Sequence, residues 1–288
     1  MKYLVIGKTG QLGSDLIRDL NITSNEVFAP NKSELDITDK QSFLSAMKEF
    51  QPDIVINTAA YHNVPLCEEN PFEAFQANCL AVKDMAEITS ELDVWFVSFS
   101  TDYVFDGKKG EPYIETDVPG PLQIYGLSKL AGEYAAISYP KSIIIRTSGL
   151  YGFQGATSKG GNFVEKRIKD SKRIPLLEMS NDQTTSPTFT SDLSKAVLEL
   201  VQHKSKQPGI YHLVNQGFCT WYEFTEEIFK IMNISIELIP VDRKGLTGKM
   251  RRPLFSSLKN EKASKINVNL PHWKDALKRY LSSKYLEK

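Results

Sequence analysis

Five short apolar segments recur through about the first 150 residues, and helical spacing of apolar side chains follows them. The segments are continuously apolar and rich in β-branched residues, which is typical of strands buried on both faces of a parallel sheet. The alternation loosens beyond them. We therefore predict a doubly wound parallel sheet in residues 1–150 and a smaller mixed α/β lobe in 151–288, some of whose segments can return to the first domain. The five segments are residues 2–6, 26–29, 53–57, 94–99 and 142–147.

The composition points away from membranes, nucleic acids and metals. The 288 residues carry 35 basic and 35 acidic side chains, a balance that gives no argument for a polyanionic partner. No basic and apolar leader opens the chain, and no apolar run reaches about 18 residues. Cys67, Cys79 and Cys219 stand far apart without metal-ligand spacing, so neither a disulfide framework nor a bound metal is predicted. A cytoplasmic protein is the expectation.

A glycine-rich turn separates the first predicted strand from the first predicted helix. Its spacing is G-x-x-G-x-x-G, which differs from the G-x-G-x-x-G of many dinucleotide-binding proteins. The N–H groups of such a turn and the N-terminus of the next helix attract a phosphate group. We predict that the turn binds a dinucleotide pyrophosphate, with a purely structural turn as the alternative. The residues are Gly7, Gly10, Gln11, Leu12 and Gly13.

The second predicted strand carries the signal for cofactor preference. No acidic residue stands at its immediate end, where one would bind the ribose 2′-hydroxyl of NAD. Lys32 and Ser33 lie there instead, and both side chains suit a 2′-phosphate. The sequence therefore favours NADPH weakly over NADH, and either remains a candidate cofactor.

Two further stretches combine into a candidate catalytic site. Thr101 follows the apolar segment 94–99, which places it at the carboxyl end of a strand, where ligands bind in open α/β sheets. Tyr125 and Lys129 are four residues apart on a predicted helix and share one face. A neighbouring ammonium group stabilises phenolate and lowers the pKa of a tyrosine, so that Tyr125 can exchange a proton with an alcohol or carbonyl oxygen. The same helix carries an apolar stripe roughly opposite this pair, formed by Leu127, Leu130, Ala131 and Tyr134.

The spacing Tyr-x-x-x-Lys is too short to be specific alone. A second match, Tyr280 and Lys284, lies in the polar C-terminal segment with no predicted strand before it. We interpret that second match as a solvated coincidence.

The wider context of these motifs resembles a known family. Residues 100–107 are Ser-Thr-Asp-Tyr-Val-Phe-Asp-Gly, residues 125–133 are Tyr-Gly-Leu-Ser-Lys-Leu-Ala-Gly-Glu, and further similarity extends to about residue 280. The chain is similar to the extended short-chain dehydrogenase/reductases, and within them to the dTDP-4-dehydrorhamnose reductase group. The resemblance implies an NAD(P)-binding Rossmann domain, a substrate-binding lobe and a catalytic set of Thr101, Tyr125 and Lys129.

The resemblance also implies contacts beyond that set. It implies that the cofactor is held by the glycine turn, Tyr125 and Lys129, together with Lys32, Asp36, Ile37, Ala59, Ala60, Tyr61 and Asn78. It implies that the substrate is held by Thr101, Asp102, Tyr103, Val104, Phe105, Asn162 and Arg252. Arginine suits the diphosphate of a nucleotide sugar because its guanidinium matches phosphate oxygens. A solvated basic turn is the alternative for Arg252 and its neighbour Arg251.

Three positions depart from the pattern of the group. His62 and Pro65 stand where threonine and aspartate are usual, and Gly149 stands where a tryptophan is typical. His62 is either a substrate contact or a surface residue. The departures leave the sugar and the nucleotide base open.

The sequence thus predicts an NAD(P)H-dependent reductase of a 4-keto sugar nucleotide, which can form a homodimer. A non-catalytic, nucleotide-binding regulatory subunit is the alternative, although a binding module gains little from the full Thr–Tyr–Lys set. An epimerase or dehydratase is a lesser rival. A dehydratase would want an acid and base pair near Thr101, and no glutamate follows Asp102.

Overall fold

The computed structural model of the protein describes residues 1–154, 161–247 and 250–286. Its central feature is a sheet of six strands in the order β2-β1-β3-β4-β5-β10, and every pairing within it is parallel. The strands are β1 (Lys2–Ile6), β2 (Glu26–Phe28), β3 (Ile54–Asn57), β4 (Trp95–Thr101), β5 (Ser142–Thr147) and β10 (Gly209–His212). The predicted doubly wound parallel sheet is confirmed.

Helices cover both faces of this sheet. Those of the first 150 residues are α1 (Gln11–Asn21), α2 (Lys40–Phe50), α3 (Val64–Glu69), α4 (Pro71–Phe75), α5 (Ala81–Glu91) and α6 (Ile124–Ile137). A π-helical turn, Gln76–Leu80, joins α4 to α5, and a 3₁₀ turn, Asp102–Val104, follows β4. The later helices are α7 (Phe163–Ser171), α8 (Thr190–Gln202), α9 (Trp221–Ile231), α10 (Glu261–Ser264) and α11 (Trp273–Leu281), with a π-helical turn at Ser282–Leu286.

The sheet exists because its strands are apolar on both faces. Every residue of β3 and of β5 is buried, and two apolar cores lie on opposite sides of the sheet. On one side α1 and α8 contribute Leu16, Leu20, Leu193, Val197 and Leu200. On the other side α2, α5 and α6 contribute Phe43, Met47, Val82, Met85 and Ala136.

Segments beyond residue 150 take part in both halves of the molecule. Strand β10 pairs with β5, and α8 packs beside α1, so residues 190–212 belong to the sheet layer. The remaining segments form a third core around α7, α9 and α11. The short strands outside the main sheet are β6 (Leu150–Tyr151), β7 (Leu176–Ser180), β8 (Thr184–Thr185), β9 (Thr188–Phe189), β11 (Cys219–Thr220), β12 (Glu237–Val241), β13 (Leu246–Thr247) and β14 (Met250–Arg251).

One sequence interpretation was wrong, that of Tyr280, and the apolar stripe of α6 is only partly buried. Leu127 is 45% exposed and Tyr134 is 58% exposed, whereas Leu130 is 8% exposed. The buried face carries small and polar residues instead, among them Gly126 and Gly132, whose lack of side chains lets α6 approach neighbouring backbone closely. Tyr280 is not solvated, since it is fully buried in the third core and its hydroxyl accepts a hydrogen bond from Asn162.

Candidate active site

A cavity of about 540 Å³ opens at the carboxyl ends of the central strands. It begins at the glycine turn after β1, passes the ends of β3, β4 and β5, and reaches the lobe built by α7 and α9. Gly10, Thr101, Tyr125, Lys129 and Arg252 all line it. The fold thus brings together the predicted phosphate turn, the predicted catalytic set and the predicted diphosphate partner.

The three glycines of the turn have different tasks. A side chain on Gly13 would overlap the carbonyl oxygen of Gly7, and Gly7 itself has φ +93° beside Thr58. These two glycines are therefore required by the turn. Gly10 has φ −79° at the N-cap of α1, and an added Cβ would meet only the Gly7 carbonyl oxygen, at 3.3 Å. Its missing side chain leaves space in the cavity, where a phosphate group would lie.

The side chain of Asn78 forms hydrogen bonds that connect two segments next to the cavity. Its Oδ1 accepts from Tyr61 N at 2.9 Å, and its Nδ2 donates to Tyr61 O at 2.9 Å and to Ser128 Oγ at 3.1 Å. The side chain is 1% exposed. Asn78 thus connects the segment after β3 to helix α6, and both of these elements border the cavity.

Thr101 and Asp102 form the edge of the site at the end of β4. Thr101 Oγ1 donates to Asp102 Oδ1 at 3.0 Å and accepts from Tyr103 N at 3.2 Å. Asp102 Oδ2 accepts from Ser256 Oγ at 2.5 Å. Burial raises the pKa of Asp102 to about 6, against the lowering effect of hydrogen bonds from Ser256, Ser148 and Thr101.

Helix α6 presents Tyr125 and Lys129 to the cavity. Gln123 caps the helix by accepting from Gly126 N at 2.8 Å. Burial raises the pKa of the Tyr125 phenol, which a hydrogen bond with Thr101 partly offsets. Burial lowers the pKa of Lys129 to about 8, although the charge of Glu133 opposes the shift. In the protein alone the pKa of Tyr125 thus moves in the direction opposite to the one expected from a neighbouring lysine.

The far end of the cavity carries aromatic and basic side chains. Phe163 and Trp221 lie with ring centroids 4.5 Å apart, and both line the cavity beside Lys166. Arg252 is half-buried and hydrogen-bonds with Tyr103, and its Nε is buried without a partner among the described residues. Aromatic rings beside cations suit a planar base and a diphosphate.

Several predicted contacts lie away from the cavity. Val104 and Phe105 are fully buried in a small core, and the Phe105 ring stacks on Tyr113 with centroids 4.1 Å apart. Their side chains thus face a core and not the cavity, and their assignment as substrate contacts stays a prediction. The side chain of Asn78 is occupied as described above. Outside the lining also lie Gly7, Gly13, Lys32, Asp36, Ile37, Ala59 and Tyr61.

Asn162 lines the cavity, but its side chain is engaged. Its Oδ1 accepts from Glu165 N, which caps α7, while its Nδ2 donates to Gly152 O and to Tyr280 Oη, all at 2.9 Å. Asn162 is 3% exposed. A substrate contact here stays a prediction, because the hydrogen bonds already present hold the entry to α7.

Sequence reasoning missed several lining residues. Ser148, Lys166, Thr185, Trp221 and Ser256 come from separate segments with no spacing in common. Their only sequence signal is the position of Ser148 directly after β5, where ligands meet parallel sheets. His62 and Gly149, the departures from the family pattern, also line the cavity.

A comparison with protein families identifies the chain. The family described as RmlD substrate binding domain matches residues 1–286. The chain belongs to that family. This confirms the resemblance to the dTDP-4-dehydrorhamnose reductases on which the residue assignments rest.

Individual relatives agree over nearly the full length. The spore coat polysaccharide biosynthesis protein SpsK of Bacillus subtilis is 37% identical over 284 residues, which is 98% of either chain. The dTDP-4-dehydrorhamnose reductase of Escherichia coli is 32% identical, with 98% of this chain and 97% of that one covered. The solved dTDP-4-dehydrorhamnose reductase of Bacillus anthracis, in complex with NADP, superposes with a TM-score of 0.91 at 31% identity, covering 98% of this chain and 99% of that one.

The described part of the chain contains no helix of sufficient length and apolarity to cross a membrane. Over those same residues, no group of three or more histidine, cysteine, aspartate or glutamate side chains has the arrangement of a metal site.

Proposed function

We propose that the protein reduces the 4-keto group of a nucleotide-activated deoxysugar of the dTDP-4-dehydrorhamnose type, with NADPH or NADH as the reductant. The observation that carries the proposal is the gathering of Thr101, Tyr125 and Lys129 in one cavity that starts at the glycine turn. Membership of the RmlD family and the reductases among its relatives support the same reaction.

The residues present fit a dinucleotide cofactor. Gly10 leaves open space at the N-terminus of α1, and Gln11 Oε1, Ser100 Oγ and Thr147 Oγ1 are buried without partners among the described residues. A bound NADPH or NADH supplies the hydride, an electron pair with one hydrogen, for the C4 carbon of the sugar. The glycine turn would hold its pyrophosphate, and Lys129 its nicotinamide ribose.

Tyr125 donates the proton that completes the reduction. The raised pKa keeps its phenol protonated at neutral pH, so a proton is present when negative charge develops on the C4 oxygen. The oxygen gains that proton, the sugar carbon gains the hydride, and the phenolate left on Tyr125 regains a proton from water. Lys129 carries a positive charge below about pH 8 and stabilises that phenolate.

Arg252 and Lys166 give the cavity its affinity for a diphosphate. Both line the cavity, and Arg252 Nε, which has no partner among the described residues, offers a donor there. The aromatic pair Phe163 and Trp221 lies beside them and provides a stacking surface for a nucleobase. With the nucleotide held there, the sugar would lie towards Thr101 and Tyr125.

A substrate panel tests the proposal. The purified protein is mixed with NADPH or NADH and with 4-keto deoxysugars attached to dTDP, UDP or GDP, and cofactor oxidation is followed together with the product by NMR. We expect oxidation with a dTDP-linked substrate and a new C4 hydroxyl. A protein that binds NADPH and oxidises it with none of these sugars would support the regulatory alternative instead.

The protein is further proposed to form a homodimer through α4, the following π-helical turn and α6. These elements expose Phe72 (71%), Leu80 (53%), Leu127 (45%) and Tyr134 (58%), which together make an apolar surface suited to a second copy. Sedimentation of the parent and of Leu127→Glu tests this. A dimer that dissociates in the variant is expected, and a monomeric parent would refute it.

We also propose a cytoplasmic location. The three cysteines, Cys67, Cys79 and Cys219, form no disulfide, and a reducing compartment keeps such thiols free of disulfides. Fractionation of cells that produce the tagged protein would test it, and recovery of the protein outside the cytoplasm would contradict it.

A further inference from the structure

Asp102 is a buried carboxyl group beside the catalytic residues, and the reaction described above does not use it. It is 4% exposed, and both of its oxygens are hydrogen-bonded. Oδ1 accepts from Thr101 Oγ1 at 3.0 Å, and Oδ2 accepts from Ser256 Oγ at 2.5 Å. Ser148 makes a further hydrogen bond to the carboxyl group and is itself 2.6 Å from Thr185 Oγ1. The substrate therefore meets a carboxyl group whose accepting positions are largely occupied by protein hydroxyls.

The hydrogen bonds of Thr101 determine what its hydroxyl can do. A threonine hydroxyl has one hydrogen to donate and two lone pairs to accept with. The hydrogen is given to Asp102, and one lone pair accepts from Tyr103 N at 3.2 Å. Thr101 also lies within hydrogen-bonding reach of the Tyr125 phenol. While this arrangement holds, Thr101 has no hydrogen for a ketone oxygen.

We propose that Asp102 is a positioning residue whose protonation state decides whether Thr101 donates its hydroxyl hydrogen to the substrate oxygen. An ionised Asp102 accepts that hydrogen and makes Thr101 an acceptor. A protonated Asp102 can donate to Thr101 Oγ1 through Oδ1, which frees the threonine hydrogen for the C4 oxygen. The inference rests on the proposed reductase function and deepens it.

The pKa of Asp102 and of the groups that face it supports this role. Burial raises its pKa to about 6, which lies within the range where enzymes work. The titratable groups that face it are Tyr103 and Tyr125, and burial raises the pKa of both, so both stay neutral at that pH. Arg252 hydrogen-bonds with Tyr103 on the side of the cavity next to Asp102. His62 is the histidine in the cavity lining, so a variant at that position serves as the control for a titration step in this range.

The two directions of the reaction then depend on pH in opposite ways. Reduction of the ketone needs donors to the oxygen, so its rate should fall as the pH rises through about 6 and Thr101 becomes an acceptor. Oxidation of the alcohol needs an acceptor for the substrate hydroxyl, so its rate should rise over the same interval. The change in the reduction rate should be roughly 10²-fold, the effect of one donor to a developing oxyanion.

Two neighbouring serines provide a matched pair of variants. Ser256 and Ser257 are 3% and 0% exposed, but Ser256 bonds to Asp102 whereas Ser257 bonds to Ser186 at 2.8 Å. The Ser256 bond lowers the pKa of Asp102, so Ser256→Ala should move the step in the reduction profile to higher pH. Ser257→Ala should leave the step in place. Asp102→Asn should remove it, and His62→Gln should retain it.

The decisive outcomes are distinct. A step that persists in Asp102→Asn, that disappears in His62→Gln, or that moves equally in Ser256→Ala and Ser257→Ala would overturn the proposal. Asp102→Asn and Thr101→Val should also be non-additive, since the first acts through the second. Equal and independent losses in the double variant would contradict the positioning role.

A measurement without substrate separates this inference from the proposed function. In protein labelled with ¹³C at the aspartate carboxyl carbon, one NMR resonance should titrate near pH 6, be absent from Asp102→Asn and titrate at higher pH in Ser256→Ala. Absence of such a resonance would refute the inference even if the reductase is active. Its presence in a protein that reduces no keto sugar would leave the hydrogen-bond arrangement established and refute the proposed function alone.

Discussion

Ser256 donates a 2.5 Å hydrogen bond to Asp102 across 154 positions of sequence. The bond joins the end of strand β4, which carries Thr101, to the segment that carries Arg252. The length of this contact is typical of a hydroxyl bonded to a carboxylate, and it connects the proposed diphosphate partner to the proposed proton-transfer residues. A substitution at Ser256 is therefore expected to alter the properties of Asp102, and the reverse.

Tyr125→Phe should separate chemistry from binding. The change removes only the hydroxyl, so we expect turnover to fall by roughly 10²- to 10⁴-fold, the contribution of a positioned acid. The dissociation constant for NADPH, measured by titration, should stay near that of the parent. Tyr280→Phe is the control. It removes a buried acceptor for Asn162 and should lower the free energy of unfolding by about 1 kcal/mol with turnover near that of the parent.

Lys129→Ala should weaken cofactor binding and change the pH profile. Because the pKa of Lys129 is lowered to about 8, the parent should lose activity as the pH rises through that value and the ammonium loses its proton. The variant has no such group, so its residual activity should lack that decline. Lys284→Ala, in the second Tyr-x-x-x-Lys match, should keep the parent profile. If the activity of Lys129→Ala declined over the same pH range as that of the parent, a group other than Lys129 would cause the decline.

Gly10→Leu and Gly13→Ala should fail in different ways. The added Cβ at Gly10 would meet only the Gly7 carbonyl oxygen, at 3.3 Å, so we expect the variant to fold while its side chain occupies the space of the phosphate and prevents NADPH binding. The methyl group at Gly13 would overlap the Gly7 carbonyl oxygen, so that variant should lose stability, seen as a lower melting temperature. Full NADPH affinity in Gly10→Leu would mean that the pyrophosphate lies elsewhere.

Lys32→Ala tests the preference for NADPH. The lysine side chain is 88% exposed after β2, where it can approach a 2′-phosphate. We expect the affinity for NADPH to fall about fivefold, the scale of an exposed ion pair, while the affinity for NADH stays constant. Lys48→Ala, an exposed lysine on α2, is the charge-matched control. Equal loss for both cofactors would place Lys32 away from the 2′-phosphate.

Asp102 should also make stability depend on pH. Its folded-state pKa of about 6 lies above the ordinary value of 3.8, so between these values the folded protein holds a proton that the unfolded chain has lost. The free energy of unfolding therefore falls as the pH rises from about 4 to about 6, by at most about 3 kcal/mol from this group. Chemical unfolding of the parent and of Asp102→Asn across this range should show a steeper fall for the parent. Parallel curves would contradict the assignment.

The sheet and its catalytic edge could be predicted from sequence because their signals are local. Continuous apolar segments indicate buried parallel strands, and a residue directly after such a strand, such as Thr101, lies at the ligand-binding edge. Tyr125 and Lys129 share a helical face for the same local reason. The cavity confirms that all three residues lie together.

Other features depend on contacts that periodicity does not show. Leu127 and Tyr134 of the apolar stripe are exposed, because close backbone approach at Gly126 and Gly132 buries another face of α6. The sequence suggested a solvated Tyr280 because its neighbours are polar, although this residue lies in the third core, around α7, α9 and α11. Phe105 belongs to the same sequence motif as Thr101, but its side chain is buried in a separate small core. The partnership of Asp102 with Ser256 had no sequence signal, since it joins distant segments.

Transfer of a labelled hydride tests the central claim most directly. NADPH deuterated at the transferable position of nicotinamide C4 is mixed with dTDP-4-dehydrorhamnose and either the parent or Tyr125→Phe, and the sugar product is analysed by NMR. The account predicts deuterium at the sugar C4 for the parent and its appearance at least about 10²-fold more slowly for the variant. Deuterium absent from C4 in the parent product, or an equal rate in Tyr125→Phe, would contradict it.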